Sequence, residues 1–333
     1  MKLFRPVIAL LLVSLLLLLL DWNNRTTHVR GELPTIAIFK IASRLVLDQS
    51  EEGTLDALKE RGFEDDKTCI IKRYSAEGDA GTANSIAQNI VSSGFDMVIS
   101  ISTPALQIMA NANREGKMIH VFSTVTDPYV SGVGITGTAP DQHPPHLVGI
   151  GSFQPVEETF ELAKKMNPGL KKVGTVWCTS EVCSEACVRL ARKKCAELGI
   201  ELIEASVEST IQVLEAATSL TSRGVQALWV GGDNVVEAGI GQLITAANQA
   251  KIALFTNNPY NVYGNVLFAL GAEYYEVGEI AGNLAADILN GKSTEEIGVS
   301  NVLPKYLKTN PEALKNITEK WELTEYTDHP DVR

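Results

Sequence analysis

The chain alternates between two hydrophobic periods. Short apolar runs that read as buried strands are separated by stretches in which apolar residues recur at helical spacing. After Pro34 the run TIAIFK predicts a first strand, and a helix follows over about Asp48 to Arg61, with Gly62 placed to end it. Thr68 to Tyr74 predicts a second strand. Asp79 then caps a helix whose Ala83, Ile86, Ala87, Ile90 and Val91 share one face, and Gly94 closes it. Met97 to Ile101 and Met118 to Ser123 predict two more strands, with a helix between them that opens at Thr103-Pro104. From Ser131 to Gly151 the pattern lapses into a glycine-rich loop.

The alternation restarts at Gln154-Pro155 with a helix that ends before Asn167-Pro168-Gly169. Strands are predicted over Lys172 to Trp177, Ile200 to Ala205, Ala227 to Val230, Ile252 to Phe255 and Val266 to Leu270. Helices lie between them, one capped by Ser180, one over about Ile211 to Arg223 and one running to about Ala250. A last helix covers Tyr274 to Leu289. Strand-helix alternation of this kind makes parallel sheets with right-handed crossovers. The fold class is therefore α/β, with two tandem halves that meet near Gly149 to Gln154.

The polar residues fall at strand ends. VFSTVTDP (121–128) stops at Thr126-Asp127-Pro128, where proline cannot continue a ladder. Met97 to Ile101 stops at Ser102 and Thr103. Ser43-Arg44 and the stretch Tyr74 to Asp79 follow the first two strands. In the second half the matching ends are Trp177-Cys178-Thr179-Ser180, Asp233-Asn234 and Asn257-Asn258. Carboxyl ends of parallel strands are where open α/β sheets bind small molecules. If the two edges face each other they form a cleft. A helix start at Ser102-Thr103 suits a carboxylate, Asp233 or Asp127 suits an ammonium, and Trp177, Tyr74, Tyr260 and Tyr263 suit the walls. Thr103 before Pro104 also suits an ordinary cap role, and Asp127 before Pro128 suits a role confined to shaping the turn, which leaves Ser102, Thr103 and Asp233 as the stronger contact candidates.

Composition narrows this. The 333 residues are 45% hydrophobic with a formal net charge of -11, and no Lys/Arg run follows the N-terminus, so a nucleic-acid partner is not expected. Lys2 and Arg5 precede an apolar run, Pro6 to Leu20, that includes six consecutive leucines. A basic flank and an apolar run of this length read as an export signal, either cleaved or kept as an anchor. The five cysteines are Cys69, Cys178, Cys183, Cys187 and Cys195. Cys183, Cys187 and Cys195 fall on one apolar helix face and read as core thiols; a disulfide from Cys178 to Cys183 or Cys187 is the other reading. His143 and His146 lie in the loop without carboxylate or thiol partners at ligand spacing, so no metal is expected. There is no G-x-S-x-G, phosphate-binding loop or H-E-x-x-H.

GDAGTANSIAQNIV (78–91), ISTPALQ (101–107), VFSTVTDP, KKVGTVW (171–177), GGDNVV (231–236) and LGAEYYEVGEIAGNLAADIL (270–289) together carry a family resemblance. The chain resembles ABC-transporter substrate-binding proteins of the tryptophan/tyrosine-binding type, with the type I periplasmic binding protein fold. The resemblance covers about Thr35 to Leu314. It implies two Rossmann-like lobes joined by a three-segment hinge: 1–33 as signal or anchor and linker, 34–152 plus about 272–297 as one lobe, and 153–271 plus about 298–320 as the other. It implies a monomer in the periplasm or on the outer face of the cytoplasmic membrane, delivering a small ligand, an amino acid and aromatic ones included, to an ABC permease. No cofactor and no catalysis are implied. Carried over with the strand-end reading, the ligand-binding residues are Ser102, Thr103, Thr126, Asp127, Trp177, Thr179, Ser180, Asp233, Asn234 and Asn257. The segment Lys40 to Arg44, the segment Trp177 to Ser180 and the insertion Gln142 to His146 depart from the family pattern. Two other readings stand beside this one: a ligand-sensing receptor domain without transport, and a cysteine-dependent racemase, which would need a thiol from each lobe at the cleft.

Overall fold

The computed structural model describes residues 33–323. The predicted export segment lies outside them. The first lobe contains β1 (Thr35–Lys40), α1 (Leu45–Glu60), β2 (Ile70–Ser75), α2 (Ala80–Ser93), β3 (Met97–Ile101), α3 (Thr103–Ala112), β4 (Ile119–Val125) and β5 (Leu147–Gly151). The second contains α4 (Val156–Met166), β6 (Lys172–Cys178), α5 (Val182–Glu197), β7 (Glu201–Val207), α6 (Val213–Ser222), β8 (Ala227–Val230), α7 (Asn234–Ala238), α8 (Ile240–Ala250), β9 (Ala253–Thr256) and β10 (Val266–Ala272). The chain then returns to the first lobe with α9 (Tyr274–Leu289) and β11 (Ser300–Asn301), and ends in the second with β12 (Lys305–Thr309).

The sheets run β11-β5-β4-β3-β1-β2 and β12-β10-β9-β8-β6-β7. Every pairing is parallel except β12 on β10, an antiparallel edge. Both lobes therefore repeat one doubly wound order. Its switch point falls between β1 and β3 in the first lobe and between β6 and β8 in the second, where such sheets open a crevice at their carboxyl ends.

Three segments join the lobes: Ser152 to Gln154 after β5, Glu273 between β10 and α9, and Val302 to Pro304 between β11 and β12. The last crossing lies beyond residue 298, because Ser300 and Asn301 still pair with Ile150 and Gly151.

α9 belongs to the first lobe because it packs on α1 through glycines. A Cβ on Gly53 would sit 2.1 Å from the Tyr275 carbonyl oxygen, and one on Gly278 would sit 2.1 Å from that of Ser50. Thr54 stitches the pair, its hydroxyl donating to the carbonyls of Ser50 at 2.7 Å and Gly278 at 3.2 Å. The second lobe centres on aromatics: Phe160 lies 4.9 Å from Trp229, and Phe255 stacks on Phe268 at 5.2 Å. Fully burying one such phenyl ring contributes about 1.5–3 kcal/mol.

β5 lies inside the stretch expected to be loop. Its sequence, LVGIG, is interrupted by two glycines that weaken the strand signal, and it pairs with β4. β4 shifts register between Phe122 and Val125, and Thr124 there takes φ 55°. A side chain at Gly149 would collide with β4 just before that irregularity, 2.3 Å from the Phe122 carbonyl oxygen. Three helix starts also differ from expectation. Ser102, not Thr103, caps α3. Glu181 precedes α5 and its side chain makes no capping bond, while the Ser180 hydroxyl pairs with the Cys178 thiol at 3.1 Å. The helix expected up to Ala250 is two helices, broken at Gly239, where a Cβ would meet Val213 at 3.0 Å.

Candidate functional site in the cleft between the lobes

A cavity of about 90 Å³ lies where the two switch points meet. Its first-lobe wall is built from strand ends. β1 ends into Arg44 and α1, and Arg44, Leu45 and Leu47 border the cavity. Arg44 donates through Nη1 to the Ser43 carbonyl at 2.8 Å, whereas its Nε is buried with no hydrogen-bond partner. β3 ends into Ser102, which holds φ 109° and ψ 157°, a conformation that L-residues rarely adopt. Its hydroxyl oxygen accepts from the Ala105 N–H at 3.3 Å, so the amino end of α3 opens at the cavity. Thr103 accepts from the Thr126 N–H at 3.2 Å and ties β3's end to β4's. Thr124, also at the wall, donates to Ser50 Oγ at 2.7 Å. Two non-glycine residues at positive φ on one wall store strain of about 1–3 kcal/mol each, a pattern that concentrates at binding sites.

The second-lobe wall is acidic. Asp233 caps α7 and is fully engaged: Oδ1 accepts from the Val236 N–H at 2.8 Å, and Oδ2 accepts from the Cys178 N–H and the Ser184 hydroxyl, both at 2.6 Å. Behind the wall, Glu181 Oε2 accepts from the backbone N–H of Asn234 at 2.8 Å and from its side-chain amide at 3.2 Å. Glu237, one turn beyond Asp233, accepts on Oε2 from the amides of Asn258, at 2.8 Å, and Asn261. Its Oε1 has no hydrogen-bond partner among the described residues. Burial between the lobes pushes the Glu237 carboxyl up to about 8; the Asn258 bond opposes this and the nearby Asp233 charge adds to it. Burial also raises the Asp233 and Glu181 carboxyls, and their mutual repulsion raises Glu181 further. The hinge closes the third side: Gln154 on the first crossing donates to the hydroxyl of Tyr274, the first residue of α9 after the second crossing, at 3.0 Å.

Residues 35–322 match the family model of ABC transporter substrate binding proteins. The chain belongs to the ABC transporter substrate-binding protein family. A Clostridioides difficile protein named tyrosine-binding protein is 29% identical over 293 residues, 88% of this chain and 83% of the relative. A crystal structure of a conserved domain protein from Vibrio cholerae superposes with a TM-score of 0.79 at 26% identity, over 86% of this chain and 99% of that one. A Streptococcus pneumonia structure described as an ABC domain in complex with L-Trp superposes with a TM-score of 0.75 at 22% identity, with the same coverage. The chain is thus a solute-binding protein of an ABC transporter, in a family that is not enzymatic.

In this substrate-binding protein, five of the ten residues singled out from sequence border the cavity: Ser102, Thr103, Thr126, Asp233 and Asn234. The other five lie elsewhere. Asp127 shapes a turn, accepting from the Tyr129 N–H at 3.0 Å. Trp177 lies under the Arg192 guanidinium, 5.5 Å from its ring centre. Thr179 donates to Glu208 at 2.8 Å, and Ser180 faces Cys178. Asn257 is a core residue, accepting from Trp229 Nε1 at 3.0 Å and donating to Thr159 and Leu270. The wall residues Tyr74, Tyr260 and Tyr263 also stand off the cavity; Tyr260 donates to Glu273 and Tyr74 packs edge-on to Phe95. In their place the cavity has Arg44, Gln154, Glu237, Asn258, Asn261 and Tyr274. Glu237 was within reach of sequence reasoning as the residue at i+4 from Asp233 on the same helix.

All five thiols are free and buried. Cys183 borders the cavity rather than lying only in the core. Burial pushes the Cys187 thiol up to about 12, and that of Cys183 well above its ordinary value, so both are held as neutral thiols and not as nucleophiles. The ring nitrogens of His143 lie near the carbonyls of Pro144, at 3.0 Å, and Ile297, at 2.7 Å. Among the described residues no group of three or more His, Cys, Asp or Glu is placed to hold a metal ion.

Proposed function

We propose that the cleft takes a zwitterionic amino acid, its carboxylate toward the first lobe and its ammonium toward the second. The observation that carries this reading is the opposed chemistry of the walls. Arg44 Nε, buried and unpaired, and the amino end of α3 stand on one side; carboxylates stand on the other. A charge-assisted bond at each end, about 1.5–3 kcal/mol apiece, favours a ligand that bridges the lobes and holds them closed. A cavity of about 90 Å³ is well below the roughly 300–1,000 Å³ of ligand pockets, so the ligand enters with the lobes apart, opened at the three crossings. The relatives named for tyrosine and crystallised with L-Trp support an aromatic side chain.

The basic flank and apolar run at Lys2 to Leu20 support export, with the domain acting as a monomer in the periplasm or tethered to the outer face of the cytoplasmic membrane. There it hands its ligand to an ABC permease. The test is calorimetric titration with amino acids, sugars and nucleosides. Binding of L-Trp or L-Tyr is expected, and Arg44→Ala is expected to weaken it at least about tenfold. Binding of a sugar or nucleoside with no amino acid bound would overturn the reading.

A further inference from the structure

We propose that Glu237, rather than Asp233, reads the ligand's ammonium, and that it does so by giving up a proton in exchange, so that ligand binding is coupled to proton release. The proposal rests on the amino-acid reading of the cleft and adds both the receiving residue and its consequence.

The geometry separates the three carboxylates. Asp233 has both oxygens committed to Val236, Cys178 and Ser184, and acts as scaffold. Glu181 is turned to Asn234 and does not border the cavity. Glu237 borders it with one oxygen pinned by Asn258 and Asn261, which fixes the carboxylate, and the other uncommitted. A pinned carboxylate with one oxygen open to a cavity is a preorganised acceptor for an N–H donor.

The charges around Glu237 explain the proton. Asp233 lies on its own helix. Cys183 borders the same cavity from the start of α5, and Glu181 stands just before that helix, bonded to Asn234. Tyr263 faces it from the loop before β10, with Asn258 and Asn261 before that, and Tyr274 faces it from the start of α9. None of these carries a positive charge. The cation at the cavity is Arg44, on the opposite lobe. Burial and the neighbouring Asp233 charge favour the neutral carboxyl, in line with its raised titration. An ammonium arriving at Oε1 reverses the preference: the carboxyl O–H bond breaks, its proton passes to solvent, and the carboxylate keeps the electron pair and accepts the ligand's N–H. The ligand stays protonated throughout, so one proton leaves for each ligand bound.

The experiment is calorimetry of the full chain with L-Trp and L-Tyr at pH 7 in buffers of different ionisation enthalpy. The expected result is a binding heat that varies with the buffer in the sense of proton release. The affinity is expected to weaken by up to about tenfold for each pH unit from 7 to 5. Glu237→Gln should still fold, bind more weakly and lose most of the buffer dependence, whereas Glu181→Gln should keep most of it. An amino acid that binds with a buffer-independent heat would overturn the proton exchange while leaving the ligand class standing. Unchanged affinity in Glu237→Gln would remove Glu237 as the receiving residue. Failure of every amino acid to bind is a different outcome and would overturn the ligand class itself.

Discussion

Replacing Asp233 by alanine separates a scaffold from a ligand contact. Its carboxylate accepts three bonds, from the Val236 N–H at 2.8 Å and from the Cys178 N–H and the Ser184 hydroxyl at 2.6 Å. The first is the cap of α7, and loss of such a cap costs about 1 kcal/mol and up to about 2. The second leaves a buried N–H without a partner, which costs about 1–3 kcal/mol. The third costs little, because a helical serine can turn its hydroxyl to a carbonyl one turn back. Relief of the repulsion between Asp233 and Glu181 works in the opposite direction. The net expectation is a loss of about 2–4 kcal/mol in the second lobe. At roughly 2–4 °C per kcal/mol for a unit of this size, the melting temperature falls by about 5–15 °C. Asp233→Asn keeps one acceptor oxygen and should fall between the two. The assay is a circular-dichroism melt of both variants, with calorimetric titration of L-Trp or L-Tyr well below the lower transition. A variant that melts within about 2 °C of wild type yet loses its ligand would refute the scaffold role and make Asp233 a direct contact.

Three further outcomes are expected. Gly278→Ala should destabilise the first lobe by about 1–3 kcal/mol in urea unfolding despite alanine's better helix propensity, because the new Cβ lies 2.1 Å from the Ser50 carbonyl oxygen; unchanged stability would mean that α1 and α9 can slide apart. His120 is fully buried, pairs with Ser100 at 2.7 Å, and titrates at about 3 because of burial and then the neighbouring His146. The unfolded chain therefore binds the extra proton below about pH 6.5, and stability falls with pH from there toward 3, by about 2 kcal/mol at pH 5. His120→Gln should lose that part of the slope in urea melts at pH 7 and pH 5, and an equal slope in both proteins would count against it. Trp177→Phe should leave ligand affinity within about twofold, since Arg192 covers that ring away from the cavity; a larger loss in a titration would place it at the site after all.

The strand-helix alternation was legible because each strand is a short apolar run closed by glycine, proline or a polar pair. Met97 to Ile101, Ala227 to Val230 and Tyr274 to Leu289 form as the pattern predicts. Asp79 caps its helix by accepting from the Thr82 N–H at 2.6 Å. β5 was not legible, because its two glycines interrupt the apolar run and are set by close approaches of residues distant in sequence, Phe122 at Gly149 and Pro128 at Gly151, which no local signal records.

By itself the sequence determined that polar groups stand at strand ends, and that in each lobe those ends lie on one sheet edge. That follows from local chemistry: proline stops strands, hydroxyls and carboxylates cap helices, and parallel strands share an edge. Only the tertiary structure decided which of those groups reach the cleft. At Asn257-Asn258 the first amide turns into the core toward Trp229 and the second turns out to Glu237, and the choice depends on a partner 28 residues away in one case and 21 in the other. Asp233 looked like the ammonium's partner because it is the acid at the strand end. Three donors from three places in the chain take up its oxygens and leave the open one on Glu237. Which carboxylate is satisfied and which is not is a property of the folded neighbourhood, and strand-end spacing does not carry it.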